Sequence, residues 1–184
     1  MGFLKPQWCE DLSLSDVSNI TDPASILRIC IGIAWERWFV TTLPDVVDHP
    51  GEIQVDGIYM TPDGESVDVI ITSRGKLLQT IVHEFKTTYK STNTVQDLAE
   101  QWMWLTQLKG YCKGMQTRYA KIYILFLCGD YKYPISPLFR AFEIEFTQEE
   151  IDENWDLMRE YMDVQLALDQ AAEEAERLGR GELF

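Results

Sequence analysis

The sequence predicts a mixed α/β domain in which helices flank a sheet of about five strands. Hydrophobic residues make up 46% of the 184 positions, enough to form a sizeable core. Segments with helical periodicity alternate with β-rich runs in the order α-βββ-α-β-β-α. Acidic residues concentrate in the last helical segment. Together these observations predict one α/β domain that ends in a long acidic helix.

The first helix is predicted to run from Pro23 to about Val40. Asp22 is suited to the N-cap position, and proline is favoured at the first helical position. From residue 51 to residue 88 the chain is β-rich, with three strand-like runs separated by the turn sequences PDG and RGK. These runs predict a three-stranded antiparallel meander. Residues 1–20 are mixed and polar, which favours an irregular arm or a short helix.

The second half of the chain predicts two more helices and two more strands. Apolar residues at spacings of three and four predict a helix from Thr94 to about Met115. The nearly continuous apolar run AKIYILFLCG predicts a central strand, and the alternating run LFRAFEIEF predicts a strand beside it. Thr147 and Glu150 form a capping-box sequence for a final helix that reaches about Gly179.

The charge of the chain is unevenly distributed. Residues 143–184 contain 14 acidic residues and three arginines, so they carry −11 of the net charge of −14. We divide the chain into an α/β domain over residues 1–147 and an acidic helix over residues 148–184. Apolar residues repeat along this helix at alternating spacings of four and three, which is a coiled-coil pattern; this seam consists of Leu157, Tyr161, Val164, Leu168, Ala171, Ala175 and Leu178. The helix either packs along its own domain or binds a second copy or a partner protein through the seam.

Compartment signals predict a cytoplasmic protein. The N-terminus MGFLKPQWCE lacks the apolar region of a secretory signal, and no apolar stretch is long enough to span a membrane. The four cysteines lie far apart, without a CxxC pair, which favours reduced thiols over a zinc or iron–sulfur site.

The stretch IVHEFKTTYK contains the first candidate site. Side chains alternate along a strand, so Glu84 and Lys86 should share one face, while His83 and Phe85 should point to the other. The ordinary interpretation is an exposed ion pair of small energetic value. The alternative is half of a metal-dependent active site, to which the Phe85 carbonyl adds an oxygen ligand.

Asp56 is a second candidate, in the run QVDGIYMTPDG. Aspartate is disfavoured inside strands, so this residue belongs either to a turn or to a site. If the meander brings it beside Glu84, the two carboxylates form an oxygen-rich cluster of the kind that suits Mg²⁺ or Mn²⁺.

Two predicted helices carry candidate residues at a spacing of four. Gly32 and Glu36 share a face of the first helix, where Glu36 lies among apolar residues; arginines nearby are alternative structural partners. Gln107 and Tyr111 share a face of the second helix, where simple packing is the alternative.

In this order, Gly32-x-x-x-Glu36, Asp56, Glu84-x-Lys86 and Gln107-x-x-x-Tyr111 resemble the PD-(D/E)xK nuclease superfamily, and most of all its RecB-like branch of phage-type exonucleases. The resemblance covers about residues 22–130. It implies a restriction-endonuclease-like core and metal-dependent hydrolysis of DNA phosphodiester bonds. No proline precedes Asp56, and 28 residues separate it from Glu84, which leaves Asp68 as a rival ligand.

The resemblance also implies roles for these residues. One or two Mg²⁺ or Mn²⁺ ions would be bound by Asp56, Glu84, the Phe85 carbonyl and Glu36, without an iron–sulfur cluster. Lys86 would orient the attacking water or stabilise charge on the phosphate. Gln107 and Tyr111 would position single- or double-stranded DNA, and further phosphate contacts would come from Thr87, Thr88 and Lys90. The alternative is an inactive module with the nuclease fold that acts in nucleic-acid binding or complex assembly, which the low basic content favours.

Overall fold

The computed structural model describes residues 22–72 and 75–179 of the chain. The arm predicted for residues 1–20 lies outside the described residues, as does part of the RGK turn. The helices are α1 (Pro23–Val40), α2 (Trp102–Gly114) and α3 (Gln148–Gly179), with a short 3₁₀ turn at Leu98–Glu100. The strands are β1 (Val47–Asp48), β2 (Ile53–Val55), β3 (Ile58–Met60), β4 (Gly64–Thr72), β5 (Gly75–Thr88), β6 (Tyr119–Phe126) and β7 (Leu138–Glu145).

Five strands form one mixed sheet in the order β1-β4-β5-β6-β7. The central pair β5 and β6 is parallel, and the other neighbours are antiparallel. A parallel pair needs a crossover connection, which α2 provides. The prediction of an α/β domain with a mixed five-stranded sheet, flanking helices and a long C-terminal helix is confirmed.

The two predicted helix caps are confirmed as well. The Asp22 carboxylate accepts hydrogen bonds from the backbone amides of Ala24 and Ser25, at 3.3 and 2.9 Å. At the start of α3, the Thr147 amide donates to Glu150 Oε2 at 2.8 Å, and the Glu150 amide donates to Thr147 Oγ1 at 3.2 Å. Each cap satisfies amides that have no partner within the helix.

Strand β5 separates two hydrophobic clusters. Val82 belongs to the larger cluster, which also includes side chains of α2, β6 and α3. Phe85 belongs to a smaller cluster with Val40 of α1 and Tyr123 of β6. Consecutive residues of β5 therefore face different layers, and the chemistry of this strand depends on which layer each side chain enters.

The predicted three-stranded meander is wrong in its first strand. Residues 53–60 form a separate hairpin, in which β2 pairs with β3 rather than with the main sheet. Asp56 and Gly57 both have positive φ, at 51° and 84°, as a type I′ hairpin turn requires. Asp-Gly between two β-type runs is a strong hairpin signal, and the prediction treated it as the inside of a strand. The two-residue strand β1 instead forms the edge of the sheet next to β4.

The second helix begins at Trp102 rather than at Thr94. The Asp97 carboxylate accepts a hydrogen bond from the Ala99 amide at 2.8 Å and caps the 3₁₀ turn instead of continuing a helix. Val95 is nevertheless fully buried. The apolar periodicity therefore predicted this core position correctly, although the residue lies outside the helix.

The two ends of α3 have different environments. Ile151 and Trp155 are buried against the domain, and Met158 and Met162 continue this packed face as partly exposed side chains. The coiled-coil seam lies elsewhere on the helix: Leu157, Tyr161, Val164 and Leu168 are 54–71% exposed. The helix thus packs along its domain, but not through the seam. Binding of a second copy or a partner through the seam stays a prediction. No helix within the described residues has the length and apolar character needed to cross a membrane.

Candidate active site

The candidate active site lies where β4 begins beside β5. Asp63 immediately precedes β4, and its Oδ2 accepts a hydrogen bond from the Phe85 amide at 2.9 Å. Gly64 lets β4 lie close to both of its neighbours here, because a Cβ would lie 2.9 Å from Val46 Cγ1 on one side and 3.4 Å from His83 Cβ on the other. The Asp63 carboxylate is thereby fixed beside the backbone that connects Glu84 to Lys86.

Glu84 and Lys86 form a buried ion pair on one face of β5. The Glu84 side chain is completely inaccessible to solvent, and Lys86 is 23% exposed. Lys86 Nζ contacts Glu84 Oε1 and also donates to Gln107 Oε1 at 2.9 Å. Among the described residues, no nitrogen or hydroxyl donor reaches Glu84 Oε2; the neighbour of this side chain is the Asp63 carboxyl, which can form a hydrogen bond with it only when one of the two groups holds a proton. A buried carboxylate oxygen without a donor is costly, so this arrangement is not explained by fold stability alone.

Gln107 connects the lysine to α2. Its Oε1 accepts from Lys86, while its Nε2 donates to the Tyr111 hydroxyl at 2.6 Å. The four-residue spacing of Gln107 and Tyr111 places them on one face of the helix, which makes this bond possible. Burial, and the nearby charge of Glu84, raise the pKa of Tyr111, so its hydroxyl stays protonated.

Glu36 reaches the site from α1. Gly32 lies one turn earlier, where a Cβ would lie 3.4 Å from Thr87 Oγ1 of β5. The lack of a side chain at Gly32 lets the helix lie close to the strand. The Glu36 side chain is 17% exposed. His49 Nε2 lies 3.3 Å from Glu36 Oε1 and 3.5 Å from Asp48 Oδ1.

The three carboxyl groups of the site all bind protons more tightly than usual. Burial, and then the nearby charge of Asp63, raise the pKa of Glu84 to about 8. Burial and the charges of Asp63 and Asp48 raise the pKa of Glu36 to about 7. Burial also raises the pKa of Asp63, although the Phe85 amide and the Lys86 ammonium oppose the shift. Fully ionised, the cluster of Glu36, Asp63 and Glu84 would carry more negative charge than its surroundings stabilise, so it retains protons near neutral pH.

This donor set fits a divalent cation. Hard cations such as Mg²⁺ take carboxylate, carbonyl and water oxygens, and Mg²⁺ retains several waters, so two protein carboxylates suffice. Asp63 and Glu84 would be the direct ligands, because their side chains lie within hydrogen-bond reach of each other and the charge of Asp63 raises the pKa of Glu84. Within the described residues, the group of three or more such side chains whose ligand atoms all lie within 4.8 Å of one another is an outer group of Glu36, Asp48 and His49, of which two are exposed. Glu36 therefore belongs to this outer group, and the charge of Asp63 also acts on it.

The structure brings together five of the residues that the sequence singled out: Glu36, Glu84, Lys86, Gln107 and Tyr111. His83 lies on the opposite face of β5 from Glu84 and Lys86, as predicted. Its ring is hydrogen-bonded to Ser66 and Tyr123.

Asp56 is not part of this cluster, and its predicted place beside Glu84 is wrong. Its strand-like surroundings are the separate β2–β3 hairpin, and its Oδ2 accepts a hydrogen bond from Trp155 Nε1 at 2.9 Å. Asp56 is therefore a turn residue that holds α3 against the hairpin. The rival ligand Asp68 is not there either, since it is paired with Lys121 at 3.6 Å.

The predicted phosphate contacts have other partners. Thr87 Oγ1 faces Gly32, and Thr88 Oγ1 accepts from the Lys90 amide at 3.1 Å. Lys90 Nζ donates to Gln101 Oε1 at 2.8 Å and lies over the Trp104 ring. Thr87 and Thr88 follow directly on Lys86, and Lys90 comes four residues after it. The role of these residues toward a substrate stays a prediction.

Asp63 is the residue that the sequence reasoning missed. The signal was present, because Pro62-Asp63 stands 21 residues before Glu84, whereas Asp56 stands 28 residues before it. The sequence PDG predicts a turn, and this interpretation by itself assigns no role to the Asp63 carboxylate. His49 was also passed over; its only signal was its place beside Asp48 in an otherwise unassigned segment.

No family model and no curated protein matches this sequence. A solved structure described as "Crystal structure of SSO0001" is similar, with 16% sequence identity and a TM-score of 0.44. The similarity covers 77% of this chain and 62% of that chain. A likeness of this size carries no argument about function, so the function must be inferred from the chemistry of the site.

Proposed function

We propose that this protein is a Mg²⁺- or Mn²⁺-dependent nuclease that hydrolyses DNA phosphodiester bonds. The observation that carries the proposal is the cluster of Asp63, Glu84 and Lys86, in which the fully buried Glu84 carboxylate pairs with the Lys86 ammonium and lies beside the Asp63 carboxyl. With Asp63 included, Pro62-Asp63 and Glu84-Phe85-Lys86 resemble the motif from which the PD-(D/E)xK superfamily takes its name. The order of elements from α1 to β6 supports a restriction-endonuclease-like core.

Each side chain has a role that follows from its position. A divalent cation bound by Asp63 and Glu84, with the Phe85 carbonyl and Glu36 as further ligands, would acidify water and offset the charge of the phosphate. Lys86 presents an ammonium on the face of Glu84, where it can orient a water or stabilise charge on the phosphate oxygens. Gln107 is a positioning residue, because it fixes the Lys86 ammonium through one hydrogen bond and is itself held by Tyr111.

The inactive-module alternative explains this site less well. A binding or assembly module has no use for a completely buried glutamate with an oxygen that lacks a donor. Such a group destabilises the fold unless a cation or a proton compensates it. The choice between an exonuclease and a structure-dependent endonuclease is left to the assay.

The decisive experiment compares two aspartates. The protein is incubated with linear single- and double-stranded DNA and RNA in Mg²⁺ or Mn²⁺, with a chelator control. We expect Asp63→Asn to lower cleavage by about 10²–10³-fold, because it removes a cation ligand. Asp56→Asn is the matched control and should leave cleavage within about threefold, since asparagine tolerates positive φ and keeps an acceptor for Trp155.

Two results would overturn the proposal. One is a wild-type protein that cuts none of the four substrates with either cation. The other is cleavage that survives both Asp63→Asn and Lys86→Ala, because a contaminating nuclease would then account for it. If Asp56→Asn alone abolished cleavage, the assignment of Asp63 would be wrong while the nuclease activity stood.

A further inference from the structure

A groove of about 500 Å³ adjoins the candidate active site on the side of α2. Gln107 and Tyr111 belong to its lining, so it is continuous with the hydrogen bonds that hold Lys86. Met60 and Tyr111 are its most buried lining residues, at 6% and 7% exposure. If a phosphate of a nucleic-acid strand lies at Lys86, the adjacent sugar and base of that strand lie beside this groove.

Large apolar side chains in this groove are left in solvent. Tyr59 of β3 is 61% exposed, and Trp102 and Met103 at the start of α2 are 68% and 60% exposed. A contiguous patch of exposed apolar side chains commonly marks a binding surface on a protein. Two aromatic rings from different elements offer flat faces of the kind on which a planar ligand stacks.

The groove has no formal charge. Within the described residues, its lining includes no Asp, Glu, Lys or Arg. Such a surface does not suit the phosphate backbone, which is recognised by cations and hydrogen-bond donors. It suits the face of a nucleobase, which stacks on aromatic rings whatever its sequence.

We infer that this groove binds an unpaired nucleobase next to the bond that is cut. The inference rests on the proposed function and names its substrate class: single-stranded DNA. In an intact duplex both faces of a base are covered by its neighbours, so the groove can receive a base only from an unpaired segment. Stacking of this kind also reduces the need for a strongly basic groove, which this acidic chain lacks.

The test compares single-stranded and blunt double-stranded DNA of the same sequence. Trp102→Ala and Tyr59→Ala should each lower kcat/KM on the single strand by about tenfold, mainly through KM, because each removes one stacking surface. Cleavage of the blunt duplex should change by less than about twofold. Trp102→Phe should recover most of the loss, since it keeps a ring.

Two controls make the result specific. Trp38→Ala removes a tryptophan of α1 that is 61% exposed and does not line the groove, so it should leave both substrates unaffected. A single strand with one abasic position near the cut should be a poorer substrate for the wild type, and no poorer than the intact strand for Trp102→Ala. The Mg²⁺-induced rise in Tm should persist in the groove variants, which shows an intact fold and cation site.

The outcomes separate this inference from the proposed function. If no nucleic acid is cut by the wild type, the proposed function fails. If cleavage persists and the groove variants leave the ratio of single-strand to duplex cleavage unchanged, the nuclease stands and the base-binding groove does not. Equal losses of cleavage on both substrates would also overturn the base-binding groove. So would a wild-type protein that cuts the abasic strand as well as the intact one. A groove that binds a protein partner instead would leave the ratio of single-strand to duplex cleavage unchanged.

Discussion

His83 and Glu84 are consecutive residues of β5, both are buried, and their environments differ completely. The His83 ring has a partner at each nitrogen: Ser66 Oγ lies 2.8 Å from Nε2, and the Tyr123 hydroxyl lies 3.1 Å from Nδ1. Burial lowers its pKa to about 4, so the ring is neutral and both nitrogens are satisfied. Glu84 has one ammonium, an adjacent carboxylate and an oxygen without a donor.

The difference separates a structural polar residue from a candidate functional one. Burial alone does not distinguish them, because His83 is 3% exposed and Glu84 is 0% exposed. The distinction is whether the protein itself completes the hydrogen bonds of the group. His83 is complete without a ligand, whereas Glu84 becomes complete only when a cation or a proton is added.

Substitution of Glu84 gives the largest effect expected from this comparison. Glu84→Gln keeps the shape but removes a cation ligand and the partner of Lys86, so we expect cleavage to fall by about 10²–10³-fold. The stability of the cation-free protein at pH 8 should stay the same or rise, because a destabilised charge is gone. Parallel cleavage assays and thermal melts measure both quantities. A variant that melts well below the wild type would show that Glu84 is structural.

Substitution of His83 should show the reverse pattern. His83→Ala leaves a cavity and two buried hydroxyl groups without a partner, which destabilises the fold by about 2–4 kcal/mol. For a chain of this size, that corresponds to a decrease in Tm of about 4–16 °C. At a temperature where the variant is still folded, cleavage should stay within about threefold of the wild type. A loss of cleavage equal to that of Glu84→Gln would contradict the separation of the two faces.

The two groups should also give opposite pH dependence of stability. The folded-state pKa of Glu84 is about 8, above the unfolded value of about 4.3, so without cations its contribution falls as pH rises through this window. The pKa of His83 is about 4, below the unfolded value of about 6.5, so its contribution falls as pH decreases from about 6.5 to about 4. Melting curves from pH 4 to 9 measure both trends. Glu84→Gln should reduce the slope on the alkaline side alone, and the raised pKa values of Glu36 and Asp63 account for the slope that remains.

Mg²⁺ should reverse the alkaline loss. Binding requires the deprotonated carboxylates, so the rise in Tm on adding cation should be larger at pH 8.5 than at pH 6. At about 100 times the dissociation constant, the stabilisation is about 2.7 kcal/mol, or about 5–11 °C. Asp63→Asn should abolish this rise and Asp56→Asn should preserve it. A rise that survives Asp63→Asn would move the cation to the outer group of Glu36, Asp48 and His49.

The sequence was sufficient for most of the fold and for most of the site. Helical spacing predicted that Gly32 and Glu36 lie together and that Gln107 and Tyr111 lie together, and strand alternation separated His83 from Glu84. These inferences depend only on local periodicity, which the structure follows. They fixed five of the six residues that meet at the candidate site.

The aspartate of the candidate site could not be predicted from local periodicity in the same way. Asp56-Gly57 and Asp63-Gly64 are the same dipeptide, each between β-type runs. The two aspartates differ in their tertiary contacts. Asp56 accepts a hydrogen bond from Trp155 of α3, 99 residues away, while Asp63 accepts one from the Phe85 amide. The preceding proline and the shorter spacing to Glu84 distinguish Asp63 from Asp56, but PDG by itself predicts only a turn. The propensity argument against aspartate inside a strand pointed to Asp56, because it overlooked the hairpin turn.

The smallest expected effect tests whether His83 is held by both of its partners. Tyr123→Phe removes the hydroxyl 3.1 Å from His83 Nδ1 and keeps the ring, which stacks on Phe85 at 5.2 Å between centroids. We expect a destabilisation of about 1 kcal/mol, the usual value of one buried hydrogen bond, and unchanged cleavage. Ser66→Ala, on the other side of the ring, should have a similar effect. In the double variant the two effects should be non-additive, because both hydroxyls bind the same imidazole. A double-mutant cycle from urea melts measures this coupling, and strict additivity would show that the His83 ring does not link Ser66 to Tyr123.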